Sequence, residues 1–336
     1  MIIAVDAMGG DYAPDVVVDG VSQALKEYSD ISKIVLVGDT ERLKPQLDQY
    51  GLTDHPKLEL EHASQVVEMH EPSTLAIRGK KDSSITVCAN LAKAKTVDAI
   101  VSAGHTGAAV AASVVKMRNL EGVSRPGIAT VFPSPTGNFV LVDAGATPEC
   151  TPENLVQFGI MGEIYARTVL KIKEPRVGLL NNGEEESKGN ELTKESLKEL
   201  KKVPNWNFIG NIEGKDIFKG KVDVVICDGF TGNIVLKFSE GLAMGLFKIL
   251  KEKLMQNIKR KFGAFLAKKA FMETKNISDQ AEYGGAPLMG VNGVCIIGHG
   301  SACPKSVKNA IRVAREIIQH KVNDEIIERV KEYNTL

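Results

Sequence analysis

Short apolar runs alternate along the chain with longer amphipathic stretches. The runs are Ile2–Val5, Lys33–Val37, Ala99–Val101, Gly127–Val131, Phe139–Val142, Arg176–Leu180, Val222–Ile226 and Val294–Ile297. They are apolar almost throughout, as strands covered on both faces are. Between them, Asp15–Tyr28 sets Val16, Val17, Val21, Leu25 and Tyr28 at helical spacing. Ser84–Lys95 and Thr106–Met117 are Ala-rich, and Asn154–Leu170 follows Thr151-Pro152-Glu153, a capped helix start. Strand alternating with helix predicts an α/β protein with a mostly parallel sheet and helices on both sides. Neither a repeat nor a low-complexity linker divides residues 1–336, which are read as one unit.

One region breaks the alternation. From Glu240 to about Lys275 no strand pattern occurs, and the length suits two helices, with a break expected near Phe262-Gly263. Lys248–Lys275 carries nine basic side chains against two acidic ones, Glu252 and Glu273. Phe262, Phe265, Leu266, Phe271 and Met272 are interleaved among them.

Composition narrows the class. Lys plus Arg and Asp plus Glu both total 42, so the formal net charge is zero, which speaks against a nucleic-acid partner. The five cysteines, Cys88, Cys150, Cys227, Cys295 and Cys303, are scattered without a C-x-x-C pair and read as reduced thiols. The start of the chain lacks the basic and long apolar segments of a secretion signal, and no apolar window suits a membrane span, so a cytoplasmic protein is expected.

In open parallel sheets, ligands bind beyond the carboxyl ends of the strands. Here those ends read Asp6-Ala-Met-Gly9-Gly10-Asp11, Ser102-Ala-Gly104-His105-Thr106-Gly107, Asp143-Ala-Gly145-Ala-Thr147, Asn181-Asn182-Gly183-Glu184, Asp228-Gly229-Phe230-Thr231-Gly232-Asn233 and Gly298-His299-Gly300-Ser301. Lys305 and Ser306 are expected to open the last helix. Any one of these is an ordinary turn or cap. Six at one sheet edge read jointly as a site for an anionic, phosphate-bearing ligand, because glycine lets amides approach closely and helix N-termini favour anions. Arg78–Ile85, RGKKDSSI, is either a solvated basic turn with a Ser cap or an anion clamp.

Several chemistries lack their signatures. There is no G-x-x-x-x-G-K-[ST], no G-x-G-x-x-G after a strand, no G-x-S-x-G and no H-E-x-x-H, and the six histidines lack metal-ligand spacing.

Seven motifs occur in order: VDAMGGDYAP, LAIRGKKDSSI, VSAGHTGA, LVDAGAT, LNNGEEESKGN, CDGFTGNIVLK and YGGAPLMGVNG. Together they resemble the bacterial acyl-ACP:phosphate acyltransferases, the PlsX family of phospholipid synthesis, over essentially the full length. The resemblance implies a three-layer αβα sandwich like the isocitrate/isopropylmalate dehydrogenases and the phosphotransacetylases, and a homodimer; the strand-free region over 240–280 is expected to protrude from it as a helical hairpin. It implies that long-chain acyl-ACP and inorganic phosphate give acyl phosphate and free acyl carrier protein (ACP), with neither metal nor other cofactor. Phosphate attacks the thioester itself, which fits the missing nucleophile elbow; the protein then holds a dianion and stabilises an oxyanion.

On that footing His105, Lys188, Asp228 and Asn233 are expected to serve catalysis. Lys188, Lys305 and Ser84 are expected to hold phosphate, with Lys81, Gly9, Gly10, Gly104, Thr106, Gly107, Gly298, Gly300 and Ser301 also binding substrate. Asp6, Asp11, Asp143, Asp228 and Asn233 are expected to shape the site and orient those donors. For the basic hairpin, a dimer interface, a membrane-surface element with Phe262, Phe265, Leu266 and Phe271 at its tip, and a dock for acidic ACP are the open readings. The first two are expected together, placing the protein at the inner face of the membrane. The rival readings are a phosphate acetyltransferase using acyl-CoA, a dehydrogenase of the same fold, and a non-enzymatic lipid-surface scaffold.

Overall fold

The structure is a computed structural model and describes residues 1–68, 70–277 and 280–335. In chain order the strands are β1 (Ile2–Asp6), β2 (Lys33–Gly38), β3 (Leu58–His62), β4 (Ala99–Ser102), β5 (Gly127–Ile128), β6 (Thr130–Ser134), β7 (Gly137–Val142), β8 (Arg176–Asn181), β9 (Asn207–Glu213), β10 (Val224–Ile226), β11 (Ala286–Met289) and β12 (Val294–Ile297). The helices are α1 (Asp15–Glu27), α2 (Thr40–Tyr50), α3 (Ser73–Gly79), α4 (Ser84–Lys93), α5 (Thr106–Lys116), α6 (Pro152–Thr168), α7 (Glu191–Leu200), α8 (Gly229–Leu254), α9 (Ile258–Leu266), α10 (Lys268–Ile277), α11 (Gln280–Tyr283), α12 (Pro304–Gln319) and α13 (Val322–Asn334).

The fold class is the expected one, but the strands form two sheets rather than one. A seven-stranded sheet runs β3-β2-β1-β4-β12-β11-β5 and a five-stranded sheet runs β6-β7-β10-β8-β9. Most pairs are parallel; β5, β6 and β11 make the antiparallel ones. The run Gly127–Val131 therefore splits, with β5 in the first sheet and β6 in the second.

Both faces of β1 are covered, which explains its unbroken apolar sequence. Ile3 and Val5 join the cluster that includes Val17, Val21, Ala310 and Ile311 of α1 and α12. Ala4 joins the cluster on the opposite face, with Cys88 and Ala89 of α4 and Ala109 and Ala112 of α5. Gly20 permits the tight crossing of α1 and α12, since a Cβ there would stand 2.6 Å from the Val307 Cβ. In the second sheet Val140, Val177, Val224 and Ile226 pack with Phe158 and Ile164 of α6, and Phe139, Leu141 and Val225 pack on the other face. Each fully buried side chain of this kind contributes roughly 1.5–3 kcal/mol.

Two expectations need correction. Lys305 and Ser306 open α12, not the last helix, since α13 follows. The hairpin does not break at Phe262-Gly263, which lies inside α9. The chain turns instead at 255–257, where the Asn257 side chain caps α9 by accepting the Arg260 N–H at 2.9 Å, and again at Ala267. Gly263 is solvent-facing, and a Cβ there would meet nothing within 4 Å beyond its own helix, so the helix passes through it. Residues 278–279 of the expected hairpin lie outside the described residues.

Candidate active site

The six strand ends do not share one edge; three belong to each sheet. In the first sheet β1, β4 and β12 are parallel neighbours, with Asp6 and Ile297 both in register with Ser102. Their loops are knitted together. The Asp6 carboxylate accepts the Met8 N–H at 3.1 Å and the Ser102 hydroxyl at 2.7 Å, and it also bonds the Ser84 hydroxyl and the Gly9 N–H. Burial pushes the Asp6 pKa up against these hydrogen bonds, which lower it. Ser102 Oγ in turn accepts the Gly104 N–H at 3.2 Å.

Glycine is required where these loops cross. A Cβ on Gly9 would stand 2.7 Å from both Asp6 Oδ2 and the Gly104 nitrogen. Gly10 has φ +108°, and the next N–H, that of Asp11, donates to the Gly300 carbonyl at 2.8 Å. Asp6, Gly9, Gly10, Asp11, Ser84, Gly104, Gly298 and Gly300 therefore lie on adjoining loops.

His105 is the N-cap of α5, and its Nδ1 accepts the Ala108 N–H at 3.2 Å. An accepting Nδ1 assigns the proton of the neutral ring to Nε2, which becomes a fixed donor beside the amides of Thr106 and Gly107. On the neighbouring loop, His299 Nδ1 accepts the Ser301 N–H at 3.2 Å and contacts its hydroxyl at 2.8 Å. Ser301 thus turns its polar atoms onto His299 rather than outward.

The second sheet carries Asp143, Asp228 and Asn233. Asp143 is fully buried, and its carboxylate accepts four amides: Ile128 at 2.8 Å, Gly145 at 2.9 Å, Ala146 at 3.0 Å and Thr147 at 2.6 Å. Burial raises its pKa while those four bonds oppose the rise. Since Ile128 belongs to β5, Asp143 ties the two sheets together. Asp228 caps α8 through the Thr231 N–H at 2.8 Å and hydroxyl at 2.7 Å. The α8 start lies hard against the Asp143 loop. A Cβ on Gly229 would fall 2.5 Å from Asp143 Oδ2, and one on Gly232 would fall 1.9 Å from the Asp143 carbonyl oxygen. Asn233 follows directly, packed against Gly145.

The expected cations stand at the rims. Lys81 is exposed beside the α4 start, and Lys188 is exposed on the loop after β8, where its N–H donates to the Glu185 carbonyl at 3.0 Å. Lys305 is ion-paired with Glu282 of α11. Sequence reasoning missed Arg125, an exposed side chain next to Pro126, whose carbonyl accepts the Thr147 hydroxyl at 2.9 Å. Its run, Ser124-Arg125-Pro126-Gly127, precedes a strand rather than following one, so a search of strand ends passes it by.

The thiols near these loops are not poised to attack. Burial pushes Cys150 up to about 12 and Cys227 well above the usual thiol range, so both remain protonated at neutral pH.

The model of the fatty acid synthesis protein family matches residues 1–325. The chain belongs to that family. It is 47% identical over 332 residues to a phosphate acyltransferase of Geotalea daltonii, covering 99% of this chain and 95% of that one. It is 46% identical over 336 residues to a phosphate acyltransferase of Campylobacter jejuni, covering 99% of each. Among solved structures, a phosphotransacetylase from Streptococcus pyogenes superposes with TM-score 0.62 at 15% identity over 95% of this chain and 94% of that one. The EutD phosphotransacetylase from Staphylococcus aureus gives 0.60 at 14% identity over 94% of each. These two likenesses establish the fold.

Proposed function

We propose that the protein is an acyl-ACP:phosphate acyltransferase, moving a long acyl chain from the carrier's thioester to inorganic phosphate. A phosphate oxygen attacks the thioester carbonyl, the C–S bond breaks, and the carrier thiolate leaves and takes up a proton. The products are an acyl phosphate and free carrier. The observation that carries this reading is the 46–47% identity, across nearly the whole chain, to the phosphate acyltransferases of Campylobacter and Geotalea.

The site chemistry supports it. The loops after β1, β4 and β12 and the starts of α4, α5 and α8 offer amides and helix N-termini suited to a dianion. Lys188 and Lys81 add charge from the rim. His105 Nε2 donates to the developing oxyanion, and Asn233 stands at the α8 start beside the Asp143 loop. Asp6, Asp143 and Asp228 have their oxygens engaged by neighbouring N–H and O–H groups, so they hold loops in place rather than touch phosphate.

The exposed apolar surface supports the expected dimer and membrane contact. Phe230, Ile234, Phe238, Leu242, Leu246 and Ile249 form a stripe along α8 and are 50–67% exposed. A second copy covers such a stripe naturally. Beyond it Phe262, Phe265 and Leu266 are 62–70% exposed amid Lys259, Arg260, Lys261, Lys268 and Lys269, the mix that suits an anionic lipid surface. Phe271 is less exposed and belongs to the helix flank. No helix among the described residues is long and apolar enough to cross a membrane.

The test is to supply purified protein with palmitoyl-ACP or acetyl-CoA, with and without phosphate, and trap acyl phosphate as the hydroxamate. Phosphate-dependent palmitoyl hydroxamate is the expected result. Product from acetyl-CoA alone supports the acetyltransferase reading, and product from neither supports a scaffold.

A further inference from the structure

The loop that presents Lys188 carries three glutamates, and anion chemistry gives them no task. One of them, Glu184, converges with Glu213 at the end of β9 and Asp216 in the turn Gly214–Lys219: one carboxylate oxygen from each lies within 4.8 Å of the others. Carboxylates clustered at a surface are not by themselves a site. Two buried acceptors change the picture. Asp216 is 2% exposed, and its Oδ2 has no hydrogen-bond partner. Asn211 is 8% exposed and sits two residues before Glu213, hence on the same face of β9. Its Nδ2 donates to the Glu185 carbonyl at 3.2 Å, which fixes the amide orientation and leaves Oδ1 shielded from solvent and unpartnered. Leaving a buried acceptor unpaired is costly. Asp216 belongs to the converging set and Asn211 shares the face of β9 that carries Glu213, so one cation at the cluster is a partner for the free Asp216 oxygen with the Asn211 oxygen on the same face.

We propose that Glu184, Glu213, Asp216 and Asn211 bind a hard divalent cation of calcium size, which clasps the Lys188 loop to the end of β9. The donor set is all oxygen, as hard cations require. Oxygens on one calcium ion, at about 2.3–2.6 Å, can lie up to about 5 Å apart, whereas magnesium at about 2.0–2.1 Å limits them to about 4 Å. The 4.8 Å bound on the carboxylate oxygens lies within the reach of the larger ion.

Three lysines compete. Lys215 pairs with Glu213, and Lys219 and Lys221 approach Asp216 Oδ1 at 2.9 and 3.5 Å. All three are more than half exposed and can swing into water, whereas Asp216 is held in place. Lys219 and Lys221 meet Asp216 at Oδ1, and its Oδ2 carries no partner. Their charge weakens the site without filling it.

The experiment is calorimetric titration of the full, chelator-treated chain with calcium chloride and with magnesium chloride. The wild type is expected to bind one calcium ion per chain, more tightly than magnesium. Glu184→Gln, on an exposed side chain that folding does not need, is expected to weaken calcium at least about tenfold. Asn211→Asp and Lys215→Ala are each expected to tighten it. Calcium is also expected to slow proteolysis within residues 183–190 in the wild type but not in Glu184→Gln. Absence of saturable calcium binding overturns the proposal, meaning that water satisfies the two buried oxygens. Binding that Glu184→Gln and Asn211→Asp leave unchanged overturns it equally.

Discussion

Cys150 lies among the loops of the second sheet, its thiol donating to the Thr147 carbonyl at 3.1 Å. Its pKa of about 12 makes a distinct pH prediction. Thiolate, the reactive form, accumulates only as pH approaches that value. Iodoacetamide at pH 8 is therefore expected to label exposed Cys303 and spare Cys150, with labelling of Cys150 climbing only in strong alkali; peptide mass mapping reads both. Two of the expected phosphate lysines, Lys188 and Lys305, differ in circumstance. Lys305 is engaged by Glu282, whereas Lys188 stands exposed on its loop. Losing a charge-assisted hydrogen bond costs about 1.5–3 kcal/mol, or about ten- to hundredfold. Lys188→Ala is expected to raise the phosphate KM by that much, and Lys305→Ala by less. Wild-type KM and kcat in both variants would remove these residues from the phosphate site.

Among the elements, the strongest constraint is the packing of the α8 start on the Asp143 loop. A methyl group at position 232 would overlap a backbone carbonyl oxygen, which cannot turn aside as a side chain can. Gly232→Ala is expected to destabilise the fold by about 1–3 kcal/mol and to depress kcat by displacing Asn233. Chemical denaturation and initial rates check the two effects separately. The central strands were legible in the sequence because both faces are buried, leaving nothing to interrupt Ile34–Val37 or Val224–Ile226. β3 escaped because it is an edge strand, Leu-Glu-Leu-Glu-His, only half shielded. β9 carries Gly210 and a register shift against β8, and β11 contains Pro287, so both look like loops by composition. The glycines and acids of the strand ends could be read from the sequence, and the division of those ends between two sheets could not. That division depends on the short β5–β6 step at Ala129, which a single apolar run conceals.

At the scale of the whole molecule, the hairpin is the feature that the core does not explain. The α8 stripe and the α9–α10 tip leave large apolar side chains exposed, as the proposed dimer and membrane contacts require. Phe262→Glu combined with Leu266→Glu is expected to abolish sedimentation with anionic liposomes while leaving solution turnover intact. Continued pelleting would end the membrane assignment. The central claim is that phosphate itself takes the acyl group, with no acyl-enzyme on the way. Intact-protein mass spectrometry after rapid mixing with palmitoyl-ACP, in the presence and absence of phosphate, tests it most directly. The expected result is an unmodified protein in both mixtures, with free carrier released only when phosphate is present. A palmitoyl increment on the protein when phosphate is withheld would contradict it.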